Sequence, residues 1–228
     1  MFIPLKDLNP RRSYPIINTT LILVNVLVFF YQYTLPPYAF KTFMITNATV
    51  PARFPAWLFG HAPFEAAFLP LLTSMFLHSG IAHIAGNMLF LWIFGDNVED
   101  FYGHFTYLLF YLVCGIGSGL LHVLFNLNSA VPALGASGAI SGVMGAYALL
   151  YPRSRILTLV FIFLVPIPAV IILGYWFILQ FLSGISSLAV GAGASGGVAW
   201  WAHVGGFLLG MLITSMARRG QSARWQSA

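Results

Sequence analysis

The chain has 228 residues, of which 59% are hydrophobic and 7% charged, with a net charge of +5. Soluble domains carry about 25% charged residues, so a water-soluble globule is excluded and a polytopic membrane protein with one compact bundle is indicated. The lone Cys114, set in an apolar run, excludes an internal disulfide, and the basic residues adjoin apolar runs, where they orient membrane segments rather than bind nucleic acid.

In chain order, Lys6, Arg11 and Arg12 precede an apolar run from Ile16 to Tyr33 that superficially resembles a signal peptide. The run is long enough to span a bilayer and has no small-x-small cleavage site, so it reads as a retained first helix. Spans are predicted at 16–34, 80–96, 104–126, 137–151, 156–181 and 200–217. The expected fold is an all-α membrane protein: a six-helix bundle over 16–217, flanked by cytoplasmic segments at 1–15 and 218–228. Six crossings put both termini on one side. Lys6, Arg11, Arg12, Arg153, Arg155, Arg218, Arg219 and Arg224 then share that side, and only Lys41 and Arg53 fall opposite. This asymmetry predicts cytoplasmic termini. The short tail and lack of a transit-like leader point to a bacterial inner membrane. Loop 35–79 is interrupted by six prolines yet rich in Phe, Leu and Trp, and is expected to lie in the membrane interface as short amphipathic pieces. Loop 182–199 is built almost wholly of Ser, Gly and Ala, a pliable composition. The polar tail after Arg219 is expected to be unstructured.

The second span opens His78-Ser79-Gly80-Ile81-Ala82-His83-Ile84-Ala85-Gly86-Asn87. His83 and Asn87 are four apart and share a helix face. On an apolar helix they serve either as helix–helix hydrogen bonds or as donors to an oxyanion. The fourth span opens Gly135-Ala136-Ser137-Gly138 and is short. About 15 residues at 1.5 Å each give about 22 Å, against a hydrocarbon core of about 30 Å. Pro152, Arg153 and Arg155 pin its inner end, so its outer end should stop roughly 8 Å below the surface, where irregular backbone needs protein or water around it. That places Ser137 at the floor of a wet, outward-opening cavity, at a helix start whose free N–H groups can hold negative charge. Trp176, Phe177 and Phe181 in the fifth span form either a lateral gate or simple packing. The last span opens Ala202-His203-Val204-Gly205-Gly206, and Gly206-x-x-x-Gly210 is a small-x-x-x-small pair matching Gly138, Gly142 and Gly145 of the fourth span. Close backbones there would let Ser137 reach His203. Gly193-Ala194-Ser195-Gly196 repeats the serine tetrapeptide, but on one continuous helix Ser195, eight residues before His203, would lie about 12 Å away.

Taken together, the Gly-x-Ser-Gly, His-x-x-x-Asn and His-x-x-Gly-x-x-x-Gly motifs, heading the fourth, second and sixth of six spans, resemble the rhomboid family of intramembrane serine proteases. The resemblance covers about 16–217 and implies Ser137 as nucleophile and His203 as general base. It further implies His83 and Asn87 as the oxyanion pair, Gly135 and Gly138 as the nucleophile turn, and His78 as a structural histidine. Trp92-x-x-Gly95-x-x-x-Glu99 looks like the family's inner end of the second span. Some members stack a tyrosine, four residues after the nucleophile, on the catalytic histidine. This chain has Ser141 there, which either hydrogen-bonds the helix backbone or, the favoured expectation, is simply small. What orients His203 stays open.

The implied reaction is cleavage of membrane-spanning helices of other proteins, near their outer ends at small residues beside helix-weakening ones, by a Ser–His dyad. It calls for no cofactor and no metal. The partners implied are transmembrane-helix substrates and the lipid bilayer. All five carboxylates (Asp7, Glu65, Asp96, Glu99, Asp100) are expected in loops or at span ends, so none completes a triad. No His-Glu-x-x-His is present for a metalloprotease, no facing pair of membrane aspartates for an aspartyl protease, and no symmetric broken helices for a transporter. The alternative is a catalytically inactive rhomboid-like protein that binds clients, although such a protein would usually lack the serine or histidine. His61, His104 and His122 receive no role.

Overall fold

The serine of the Gly-x-Ser-Gly motif starts a helix that is buried all round. In the computed structural model, which describes residues 2–190 and 199–226, this helix is α8 in an order of β1 (Phe2–Asp7), α1 (Ile16–Thr34), α2 (Pro37–Asn47), α3 (Arg53–Leu58), α4 (Phe64–Phe68), α5 (Pro70–Thr73), α6 (Ile81–Tyr102), α7 (His104–Phe125), α8 (Ser137–Leu150), β2 (Arg155–Val160), β3 (Phe163–Pro168), α9 (Ala169–Val190) and α10 (Trp200–Gln226). Every residue of α8 from Gly138 to Tyr147 is buried, the pattern of a central helix. Helices α6, α7 and α10 pack around it, with α9 making a lesser contact. Among the described residues, four helices are long and apolar enough to cross a membrane: α1, α7, and the stretches Ala169–Ser187 and Trp200–Arg219. A fifth candidate is α6 joined to Phe64–Phe76 across a 77° bend, and α8 is a shorter apolar helix.

The all-helical expectation is corrected at one end of the bundle. Strands β1, β2 and β3 form an antiparallel sheet in that order, with Phe2 opposite Val160 and Arg155 opposite Pro168. The helix expected over 156–181 therefore begins only at Ala169, and 155–168 is a hairpin turning at Phe161 and Ile162. The hairpin is as apolar as a span, so hydropathy alone merges the two. Pro166 and Pro168 cannot donate in a helix interior and are accepted on the edge strand β3. The pairing also brings the N-terminal segment to the same end as the α8–α9 connection. There Tyr147 donates to Asp7 Oδ2 at 2.6 Å, while burial pushes the Asp7 carboxyl above its ordinary range.

Helix α1 turns a polar stripe inward. Asn18, Asn25 and Gln32, spaced by seven, are at most 1% exposed. In an apolar surround the inner face is where polar groups find partners. Asn18 donates to Leu91 O at 3.1 Å and accepts from Tyr107 at 2.8 Å. Gln32 clamps the backbone of His78, donating to its carbonyl at 2.9 Å and accepting from its N–H at 3.2 Å.

Pro15 offers no side chain to cap α1, and Glu99 of α6 does so instead. Its carboxylate, 1% exposed, accepts the N–H groups of Ile17 at 2.9 Å and Asn18 at 2.8 Å, and pairs with His104. Asp96, Glu99 and Asp100 thus lie within α6, which runs to Tyr102 and so beyond the expected end of its span. Glu99→Ala leaves two buried N–H groups and an imidazole without their acceptor. It should cost about 3 kcal/mol, read as a fall of roughly 6–12 °C in the unfolding temperature in detergent, with Glu99→Gln falling by less than half as much.

Loop 35–79 folds as α2 to α5 and a single 3-10 turn (Ser74–Phe76), packed on its own aromatic cluster. Phe64 stacks on Phe68 at 4.5 Å, and Trp57 meets Phe68 edge-on at 4.8 Å. Within 182–199, α9 continues to Val190, and the remainder up to Gly197 and Val198, including Ser195, lies outside the described residues. At the other end, α10 stays helical through Gln226, where composition predicts no structure.

Candidate active site

Two helices carry the serine and the histidine, and three glycines let them meet. A Cβ on Gly206 would lie 2.1 Å from Gly138 O, one on Gly210 2.0 Å from Gly142 O, and one on Gly145 2.1 Å from Phe207 O. These are backbone contacts, so α8 and α10 touch main chain to main chain, as the small-residue spacing predicts. His203, in the first turn of α10, then reaches across, and its Nε2 lies 2.7 Å from Ser137 Oγ. Both residues are half-buried.

The turn before Ser137 is held by protein. Thr49 and Ala133 exchange backbone hydrogen bonds at 2.9 and 2.8 Å, and Gly135 N–H donates to Ser74 O at 2.9 Å. Gly135 has φ +120°, a conformation that side chains rarely adopt, and a Cβ there would meet His83 Nε2 at 2.7 Å and Asn87 Nδ2 at 3.6 Å. The His83 ring and the Asn87 amide therefore flank the nucleophile turn, one helical turn apart on α6. His83 Nδ1 faces Ser79 Oγ at 3.0 Å. Asn87 Nδ2 is a buried donor with no partner among the described residues. Gly138 is required by Ser118, whose Oγ would lie 2.1 Å from a Cβ at that position. Behind Ser137 is a cavity of about 30 Å³ lined in part by Ser74, Ser118, His122 and Ala202. A water needs about 10–15 Å³ on this measure, so it has room for about two.

The favoured expectation for Ser141 is overturned. Ser141 is not merely small, since its Oγ donates to Ser137 O at 2.6 Å. Trp176 packs 5.8 Å from the His203 ring, and Phe177 packs 4.8 Å from Phe207, both facing α10. The partner on the far side of the imidazole is Gln180 of α9, with Oε1 2.7 Å from His203 Nδ1. The signal for it is the one amide side chain in a helix without a charged residue, a costly placement that calls for a partner. His78 is 1% exposed with its ring 5.1 Å from that of His83. His122 accepts through its backbone carbonyl from Asn126 at 2.8 Å.

Residues 65–220 match the profile of the Rhomboid domain. The mitochondrial Rhomboid protein 1 of Saccharomyces cerevisiae is 31% identical over 169 residues, 70% of this chain and 46% of that protein. The mitochondrial RHOMBOID-like protein 6 of Arabidopsis thaliana is 33% identical over 159 residues, 68% of this chain and 46% of that protein. The rhomboid protease GluP of Bacillus subtilis is 49% identical over 76 residues, 33% of this chain and 14% of that protein. The chain thus spans less than half the length of these relatives. A profile covering most of the chain, together with relatives of this identity, makes it a membrane protein of the rhomboid family.

Proposed function

We propose that this chain is an intramembrane serine endopeptidase that cuts the membrane-spanning helices of other proteins near their outer ends. The observation that carries the reading is the 2.7 Å approach of Ser137 Oγ to His203 Nε2 between two helices. A hydroxyl is a weak nucleophile until a base accepts its proton, and this distance lies within the range for that transfer. His203 takes the proton as Ser137 attacks the substrate carbonyl. The oxyanion forms beside the first N–H groups of α8, which lack intrahelical partners, and beside Asn87 Nδ2 and His83. An unpartnered buried donor such as Asn87 Nδ2 fits a transient acceptor. His203 then protonates the leaving amine, and water from the outward-opening site or the cavity behind Ser137 hydrolyses the acyl-enzyme.

The same reading has six crossings, with α6 and α8 joining the four long apolar helices. At 14 residues, α8 spans about 21 Å and would start below the outer surface. The termini fall at the basic end, which is supported by the pairing of β1 with β2 and by Arg218 donating to Leu149 O at 3.1 Å. Incubating purified protein with a fluorophosphonate probe is expected to label wild type at Ser137 and to leave His203→Ala unlabelled. Absence of labelling in wild type would favour a client-binding protein without catalysis.

A further inference from the structure

We propose that Gln180 is the positioning residue of this dyad, accepting the Nδ1–H of His203 so that the Nε2 lone pair faces Ser137. Its catalytic consequence rests on the protease reading above; the hold on the ring does not. A neutral imidazole carries one N–H, and an amide oxygen can only accept. With Oε1 2.7 Å from Nδ1, the proton sits on Nδ1, and Nε2, 2.7 Å from Ser137 Oγ, is left as the acceptor that a general base must be. The other tautomer would point a donor at the serine and could take no proton from it.

Helix α9 is suited to this task. Gln180 is 8% exposed, so its hydrogen bond does not compete with bulk water. Trp176, four residues earlier and hence on the same face, lies 5.8 Å from the ring, while Trp200 meets it at right angles from 6.3 Å. The ring is thus held in its plane by aromatics and about its axis by the amide. Ser141 leaves that role open, since its hydroxyl is taken by Ser137 O. An amide also avoids the penalty of burying an ionised carboxylate among membrane helices, which makes it a fitting third member for a dyad within apolar surroundings.

The test uses the full chain in detergent with ¹⁵N-labelled histidine, the His203 signals being assigned by their loss in His203→Ala. Wild type should show the proton on Nδ1, and Gln180→Leu should lose that preference. In Gln180→Leu, kcat on a reporter helix should fall roughly 10²-fold with KM within about twofold, and fluorophosphonate labelling should slow in parallel. Gln180→Glu, which keeps an acceptor on the same stem, should recover at least about 10-fold of that loss. A proton on Nε2 in wild type would overturn the proposal, as would Gln180→Leu cleaving at the wild-type rate. If Gln180→Leu does not fold, the wild-type assignment decides alone, a proton on Nδ1 supporting the proposal and one on Nε2 overturning it. An Nδ1 proton in a wild type that neither labels nor cleaves would support the hold on the ring and sink the protease reading instead.

Discussion

Ser137→Ala is expected to abolish cleavage of a reporter transmembrane helix, by roughly 10⁴-fold or more, without loosening the fold. The hydroxyl lies at a half-buried helix start and its side-chain partner is His203, so its removal takes away one small group and orphans one imidazole nitrogen. The unfolding temperature should stay within about 2 °C of wild type. His203→Ala should be equally inactive, and the double variant no worse than either single one, because two groups that act as a unit lose their contribution once. Ser195→Ala, which alters the repeated tetrapeptide, should cleave like wild type. Cleavage by Ser137→Ala in purified protein, or its loss in Ser195→Ala, would refute the assignment.

How far the site is legible follows from what each residue type signals. Ser137, His203, His83 and Asn87 are polar groups at the heads of apolar runs, and the glycine spacing of the fourth and sixth spans announces the close contact that joins two of them. Helix α1 is readable to the residue because an uninterrupted apolar run of the right length has one interpretation in a bilayer. The hairpin at 155–168 is not, because hydropathy has no term for backbone pairing. The partner strand β1 lies about 150 residues away, and only the two prolines speak against a helix. Gln180 escapes for a different reason. A lone amide in an apolar helix announces that it needs a partner without naming one, and the geometry that supplies His203 arises only when α9 packs beside α10. Glu99 is similar: its place in the motif is visible, whereas its task of capping α1 depends on a helix end some 80 residues upstream.

The other large effect is expected from Gly210→Ala, which adds one methyl group far from any reacting atom. The new Cβ would stand 2.0 Å from Gly142 O and 2.7 Å from Gly142 Cα. Neither atom belongs to a side chain that could swing aside. The carbonyl is part of the buried centre of α8, so relief requires α10 to move away from α8 by on the order of 1 Å. Ser137 and His203 sit on those same two helices at 2.7 Å, so a shift of that size takes them past the limit of a hydrogen bond. Misplacement on this scale can cost about 10²-fold in rate, and overpacking a tight interface about 1–3 kcal/mol, so both kcat and the unfolding temperature should drop together. Gly174→Ala is the control: a Cβ there meets nothing within 4 Å, and replacing a helical glycine with alanine should stabilise α9 by about 0.5–1 kcal/mol with activity retained. Equal behaviour of the two variants would mean that the glycines reflect helix composition alone and that the contact between α8 and α10 does not set the distance between the serine and the histidine.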